Sequence, residues 1–382
     1  MGKGKKPFPV MALCGGIFLV LIGCIGLLDA LWPKRGFSEL ENRELAQAPA
    51  FSWKKLWKNE YTPEYEKYIG DQFVLRDQWI SVKSRAEWVL GKLENNGVIY
   101  GKDGYQFEKL GAVEEERVQK AMGYVGRFAA ALPEGTRFYF GVIPNAYEVL
   151  PDLVPAAAPL PDQGEWIERI YGAAPEGTAL LDITAALAQR AQEPIFYHSD
   201  HHWTTLGAYY GYEAYCKEAG LTPVALESLT HHRVEGFYGT LYSKSKLFST
   251  QPEGIDYYDT PAVTMTIRVL EGEKVVHSLY DTEQFAGRDK YAAFLYSNND
   301  LTRIKRDEPT AERGKLLIIK DSYSNSMIPF LTNNYNEIVV IDLRGLSVPM
   351  SQLLAAEGFD DVLLLYNFKN FVTDVNLIRL TW

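Results

Sequence analysis

Cysteine is scarce. The 382-residue chain has three, and Cys14 and Cys24 both fall inside one apolar run near the N-terminus. Cys216 is left without an intrachain partner in the rest of the chain, so no disulfide framework holds the fold there, and this thiol reads as a small buried hydrophobe. Positive charge is also in deficit, with 39 Lys and Arg against 49 Asp and Glu and a formal charge of −10. Because the two signs are interspersed and no long basic run occurs, the composition argues against a nucleic-acid partner and leaves glycans, peptides and small molecules.

One long hydrophobic run is present. Lys3, Lys5 and Lys6 precede an uncharged stretch from Pro7 to Leu28, broken only at Asp29, and roughly 20 apolar residues suffice to cross a bilayer. The lysines favour a cytoplasmic N-terminus with the rest of the chain outside. No small-x-small cleavage site follows before Trp32-Pro33, which favours an uncleaved anchor over a signal peptide. The Leu21-Ile-Gly-Cys24 segment has the form of a lipoprotein box, but further apolar residues follow it. The expected organisation is a tail and membrane anchor over 1–32, a membrane-proximal linker and helical segment over 33–93, and a catalytic-size domain over 94–382.

Within that domain, hydrophobic periodicity predicts an α/β fold. Val113 to Leu132 is amphipathic at helical spacing, Arg137–Ile143 is a strand-like run, and Ala179–Ile183 another. Thr204 to Ala219 reads as a helix with Gly220 as its stop. Three further β-rich runs, Lys315–Ile319, Glu337–Asp342 and Asp361–Tyr366, have the character of central strands in a doubly wound parallel sheet. Between about 231 and 296 the texture changes to alternating, tyrosine-rich segments, and a β-rich antiparallel insertion or lid is expected. Ligands of such sheets bind beyond the carboxyl ends of the strands, which directs attention to Asp321-Ser322, Arg344, Asn367 and Asn145.

The stretch Tyr197-His-Ser-Asp-His-His-Trp203 gathers three of the six histidines around one aspartate, a composition that core packing does not require. Two chemistries fit it. Asp200 and His202, spaced i and i+2, are able to form a local hydrogen bond that fixes the imidazole, leaving its other nitrogen to activate a serine such as Ser322. Alternatively His198, Asp200, His201 and His202, with His231 and His232, provide the ligand types of a zinc hydrolase. Ser322 taken alone fits a helix N-cap equally well.

Asp200-His201-His202-Trp203 resembles the signature of the DHHW family, and the surrounding pattern is similar to the alginate and cellulose O-acetylation proteins, a permuted branch of the SGNH hydrolase superfamily. Supporting segments are Glu41-Asn42-Arg43, Asp71–Arg76, Tyr100–Tyr105 and the strand-Asp-Ser element at 321–322. The resemblance implies an SGNH-like sheet, Asp200, His202 and Ser322 as a triad, no cofactor, and acetyl transfer on an extracytoplasmic polysaccharide fed by a multispanning membrane acyltransferase. One departure stands out, since Lys320 occupies the place of the glycine in Gly-Asp-Ser. The Ser322 N–H is a candidate oxyanion donor, Asn367 and Asn145 are candidates for a second, and Arg344 is a candidate substrate contact.

Overall fold

The computed structural model describes residues 10–269 and 272–382. Lys3, Lys5, Lys6, the start of the apolar run and Glu271 lie outside the described residues. The chain divides into two compact units, one running to Gly91 and including Lys246–Phe248, the other comprising Lys92–Ser245 and Ser249–Trp382.

In the smaller unit, α1 (Val10–Leu31) is long and apolar enough to cross a membrane, and its window is not buried. Three helices follow, α2 (Trp53–Trp57), α3 (Tyr61–Gln72) and α4 (Arg76–Val89). Helices α3 and α4 lie in the expected helical segment and are separated at Phe73–Leu75, where Leu75 adopts a left-handed φ of 53°. The interior of this unit is ionic. Asp71 accepts two bonds from Arg43 at 2.9 and 2.6 Å and one from the Ala46 N–H. Glu41 pairs with Arg76, Arg43 and Lys246 at 2.7–2.9 Å.

The larger unit is built on eight strands: β1 (Arg137–Ile143), β2 (Ala179–Leu181), β5 (Val263–Val269), β6 (Gly272–Val276), β7 (Leu301–Arg306), β8 (Arg313–Lys320), β9 (Tyr335–Ile341) and β10 (Asp361–Asn367). A separate two-stranded hairpin pairs β3 (His231–Phe237) with β4 (Glu253–Tyr258). In the main sheet the order is β6-β5-β7-β9-β8-β10-β1-β2. The five strands from β9 to β2 are parallel to one another, whereas β7, β5 and β6 join antiparallel. The parallel sheet is thus present as expected, and part of the expected antiparallel insertion is joined to its edge. Residues 263–269 alternate because one face of β5 packs on the core (Val263, Met265 and Ile267 are buried), and β5 with β6 extends the main sheet. Among the described residues of 231–296, the strands outside it are β3 and β4. The segment 236–243, expected as hairpin, turns into a short helix at Thr240–Ser245.

Helices cover both faces. Leu316 and Ile318 of β8 face a core shared with Tyr209, Tyr212 and Tyr215 of α7 (Thr205–Ala219), while Leu317 and Ile319 face the core formed with α5 (Glu115–Ala130) and α6 (Gln163–Gly172). This period-two division of one apolar run is what a strand buried on both sides requires. Thr204 caps α7 by accepting the Gly207 N–H, and Gly220, at φ 65°, ends it. Cys216 is fully buried on α7. A satellite cluster of Tyr197, Phe237, Ile255, Tyr280, Phe285, Tyr291 and Phe294 packs where the tyrosine-rich segments meet. Completing the labels used below, α8 is Thr240–Ser245 and α9 is Phe368–Thr373.

Candidate active site

Strand β8 ends at Lys320, and the chain passes through Asp321 into a 3-10 turn, Ser322–Ser326. Asp321 is buried and spends both oxygens on backbone geometry. Oδ1 accepts the Tyr323 N–H, and Oδ2 accepts the Asn367 N–H and the Asn370 amide. It therefore fastens the turn to the end of β10. Burial raises its carboxyl above the ordinary range despite these donors. Ser322 sits first in the turn and is only partly covered, and its N–H has no partner among the described residues.

The loop 197–203 brings His202 to this serine. Its Nε2 lies 2.8 Å from Ser322 Oγ, and its Nδ1 lies 2.6 Å from Asp200 Oδ1. Asp200 also accepts the His202 N–H on Oδ1, and the Thr240 N–H and hydroxyl on Oδ2. Burial opposes its charge, but the two neighbouring imidazoles and these donors hold the carboxyl well below the usual carboxylate range. A carboxylate with four donors is fixed in position and in ionisation. The Thr240 contact depends on Gly239, since a Cβ there would come within 2.3 Å of Asp200 Cβ.

Aromatic side chains complete the frame. Trp203 is wholly buried, and its indole N–H donates to the Tyr323 carbonyl at 2.8 Å and to Ser326 Oγ at 3.1 Å. Its ring lies on α7 against Gly211, where a Cβ would meet it at 2.7 Å. Tyr291 stacks on the His202 imidazole with centroids 4.0 Å apart and planes 10° from parallel, and its hydroxyl donates to the Ser322 carbonyl. Tyr323 donates its hydroxyl to the His201 carbonyl.

The other sequence candidates lie nearby with different partners. Asn145 donates to the Tyr323 hydroxyl at 3.2 Å, and Asn367 donates to the Ile143 carbonyl at 3.0 Å while capping α9 through the Lys369 N–H. Both side chains stitch the strand ends together, and neither hydrogen-bonds Ser322. Arg344 forms a two-pronged contact with Asp342, whose other neighbour is the buried Lys320 at 3.6 Å. The expected substrate contact is thus an ion-pair partner. Lys320, in the glycine position, also reaches Asn298, and burial pulls its ammonium below the ordinary lysine value.

The ligand set of a metal site fits this arrangement poorly. Asp200, His201 and His202 have donor atoms within 4.8 Å of one another, yet both His202 nitrogens and both Asp200 oxygens are engaged as described. His201 Nδ1 meets Thr240 Oγ1 at 2.6 Å. His198 is held by Glu253, which also fixes the Ser199 N–H and hydroxyl, and His231 and His232 pair with Asp256 and Asp259.

Residues 119–341, more than half the chain, match the family model described as DHHW protein, and the chain belongs to that family. Its fold is similar to that of a DHHW family protein from Eubacterium siraeum, at 23% identity over 75% of this chain and 96% of that one, with a TM-score of 0.65. Bacillus cereus PatB1, solved with a sulfonyl adduct, is 18% identical over 75% of this chain and 98% of its own, with a TM-score of 0.63. The O-acetyltransferase domain of Pseudomonas putida AlgJ matches at 14% identity, covering 73% of this chain and 93% of that one, with a TM-score of 0.43. No curated protein matches the sequence.

Tyr291 and Thr240 were not singled out by sequence as supports of the site. Tyr291 is one of 24 tyrosines in a segment whose composition reads as ordinary strand. The Gly-Thr pair at 239–240, a helix-start pattern, is the one local signal that pointed toward Thr240.

Proposed function

We infer that this protein is a serine-dependent acyltransferase of the cell envelope that moves acetyl groups onto an extracytoplasmic polysaccharide. The observation that carries this reading is the 2.6 Å and 2.8 Å relay from Asp200 through His202 to Ser322. In the proposed reaction Ser322 Oγ attacks the acetyl carbonyl of a donor ester or thioester while His202 Nε2 takes the hydroxyl proton. The Ser322 N–H stabilises the developing oxyanion. The tetrahedral intermediate collapses, His202 returns the proton to the leaving group, and an acetyl ester remains on Ser322. A sugar hydroxyl then attacks that ester, giving its proton to His202, which passes it back to Ser322 as the acetylated sugar departs.

The apolar α1 supports membrane attachment, and the lysines before it support an external catalytic unit; the family resemblance suggests a multispanning membrane acyltransferase as its acetyl supplier. PatB1, which shares the fold, carries a sulfonyl adduct; sulfonylating reagents mark activated hydroxyls, and the equivalent label here is expected on Ser322. A polysaccharide acetylesterase is the second reading, because water is able to replace the sugar against the same acyl-enzyme.

The test is Ser322→Ala assayed with an acetyl ester surrogate and an oligosaccharide acceptor. Turnover should fall at least about 10³-fold with an unchanged unfolding midpoint, and mass spectrometry of the native protein should find the acetyl group on Ser322. Full activity in the variant would overturn the serine mechanism, and binding of glycan without turnover in the native chain would make the protein a scaffold. Release of acetate without acetylated acceptor would select the esterase.

A further inference from the structure

We propose that α2, α3 and α4 form a collar embedded in the headgroup layer of the bilayer, with their outward aromatic and aliphatic side chains in lipid contact. The inference rests on the reading of α1 as a membrane span. Three observations support it, all within the smaller unit.

First, this unit is inverted in polarity. A set of charged groups is turned inward, with Asp71, Glu41, Arg76 and Lys246 nearly covered, whereas its large apolar groups point outward. Trp57 is 94% exposed, Trp53 77% and Trp79 51%, and α2 buries no residue at all. On α4, Trp79, Val82, Ala86 and Val89 are all exposed and fall on one stripe at helical spacing, while Ser84, on the opposite side, is the buried residue. That is the reverse of a helix packed on a water-soluble core, and an apolar surface of this kind marks a contact with something other than water.

Second, the collar is tied to the end of the span. Asp29, in the last turn of α1, accepts the Val74 N–H at 2.8 Å between α3 and α4. A 22-residue helix rises about 33 Å, close to the thickness of the hydrocarbon layer, so Asp29 and the α3–α4 turn lie where acyl chains give way to headgroups.

Third, the chemistry is that of an interface. The sequence of α2, Trp53-Lys-Lys-Leu-Trp57, followed by Lys58, places indole rings beside ammonium groups. Indole and tyrosine rings settle at headgroup depth, and lysines bind anionic lipid.

The experiment reconstitutes the full chain in vesicles of phosphatidylcholine and phosphatidylglycerol, with and without brominated acyl chains, and compares it with Trp57→Phe. Subtracting the variant isolates the Trp57 emission. The proposal expects that component to be blue-shifted, quenched by brominated lipid and shielded from aqueous iodide. Quenching by iodide instead would place α2 in water, and shielding from both quenchers would mean that protein covers it; either result overturns the collar. Loss of the span reading has its own signature, because the chain would then fail to float with the vesicles after an alkaline wash.

Discussion

The two units use the same kinds of side chain in opposite ways. In the larger one aromatic rings are inside, as with Trp203, Tyr212, Tyr215 and Tyr323, and Asp200 is a buried charge whose four donors come from the loop and from α8. In the smaller one the rings are outside and a network of five ionic groups occupies the centre. Burying charge is costly unless every lone pair is met. In the larger unit that cost maintains one carboxylate at one point beside one imidazole. In the smaller unit it holds short helices together where, among the described residues, few apolar side chains are buried, leaving large apolar groups exposed.

Breaking each network should therefore give different symptoms. Asp200→Asn presents an amide N–H₂ toward donors that need an acceptor, and kcat should fall about 10³-fold or more, as measured on the ester surrogate, with a lower unfolding midpoint. Asp71→Ala leaves Arg43 without its two-pronged partner and should destabilise the smaller unit by about 3 kcal/mol. The readout is faster proteolysis within residues 33–91, with turnover on the soluble surrogate retained. Asp71 is held down to about 2 by Arg43 against the effect of burial. Its contribution is therefore present above the ordinary carboxylate pKa of about 4 and is lost as pH falls toward 2, so acid should loosen this unit in the native protein and not further in the variant.

Tyr291 distinguishes ring from hydroxyl. Tyr291→Leu removes the face against which the His202 ring stacks and should lower kcat about 10- to 50-fold on the ester surrogate. Tyr291→Phe keeps the face and should cost only a few-fold. At His201 the effect falls on stability and not on turnover. Burial and the neighbouring His202 bring it down to about 4, below the ordinary value of about 6.5. Its neutral form therefore supports folding fully above about pH 6.5, and that support is lost as pH falls to about 4, a difference of about 2 kcal/mol for a ring still partly solvated. His201→Gln should flatten this segment of the stability-pH curve measured by chemical denaturation.

Much of this was legible in the chain because the relevant signals are local. An i, i+2 Asp-His spacing, an apolar run ending at Asp-Ser, and a threonine and a glycine bracketing α7 each depend on a few consecutive residues. The failures share a physical cause as well. Whether β5 and β6 form a lid or an extension of the sheet depends on which edge they meet, and alternation of Val263, Met265 and Ile267 looks the same in both cases. Asn145, Asn367 and Arg344 were placed at the correct end of the sheet, but their partners, Tyr323, Ile143 and Asp342, depend on the relative approach of separate strands. Tyr291 reaches His202 from a distant segment, and no sequence periodicity reports that approach.

Strand β10, the last in the chain, lies between β8 and β1, and this position has a consequence for the timing of assembly. β1 gains its neighbour on that side only when residues more than 200 positions later have been made, and loop closure over such lengths delays pairing. Asp321 likewise waits for Asn367 and Asn370 before the serine turn is fastened. Until its C-terminal residues are available, the chain thus lacks a fastened turn at Ser322. Competence appears in one late step, and truncation before residue 361 should leave a chain that has the serine, the histidine and the aspartate but no site.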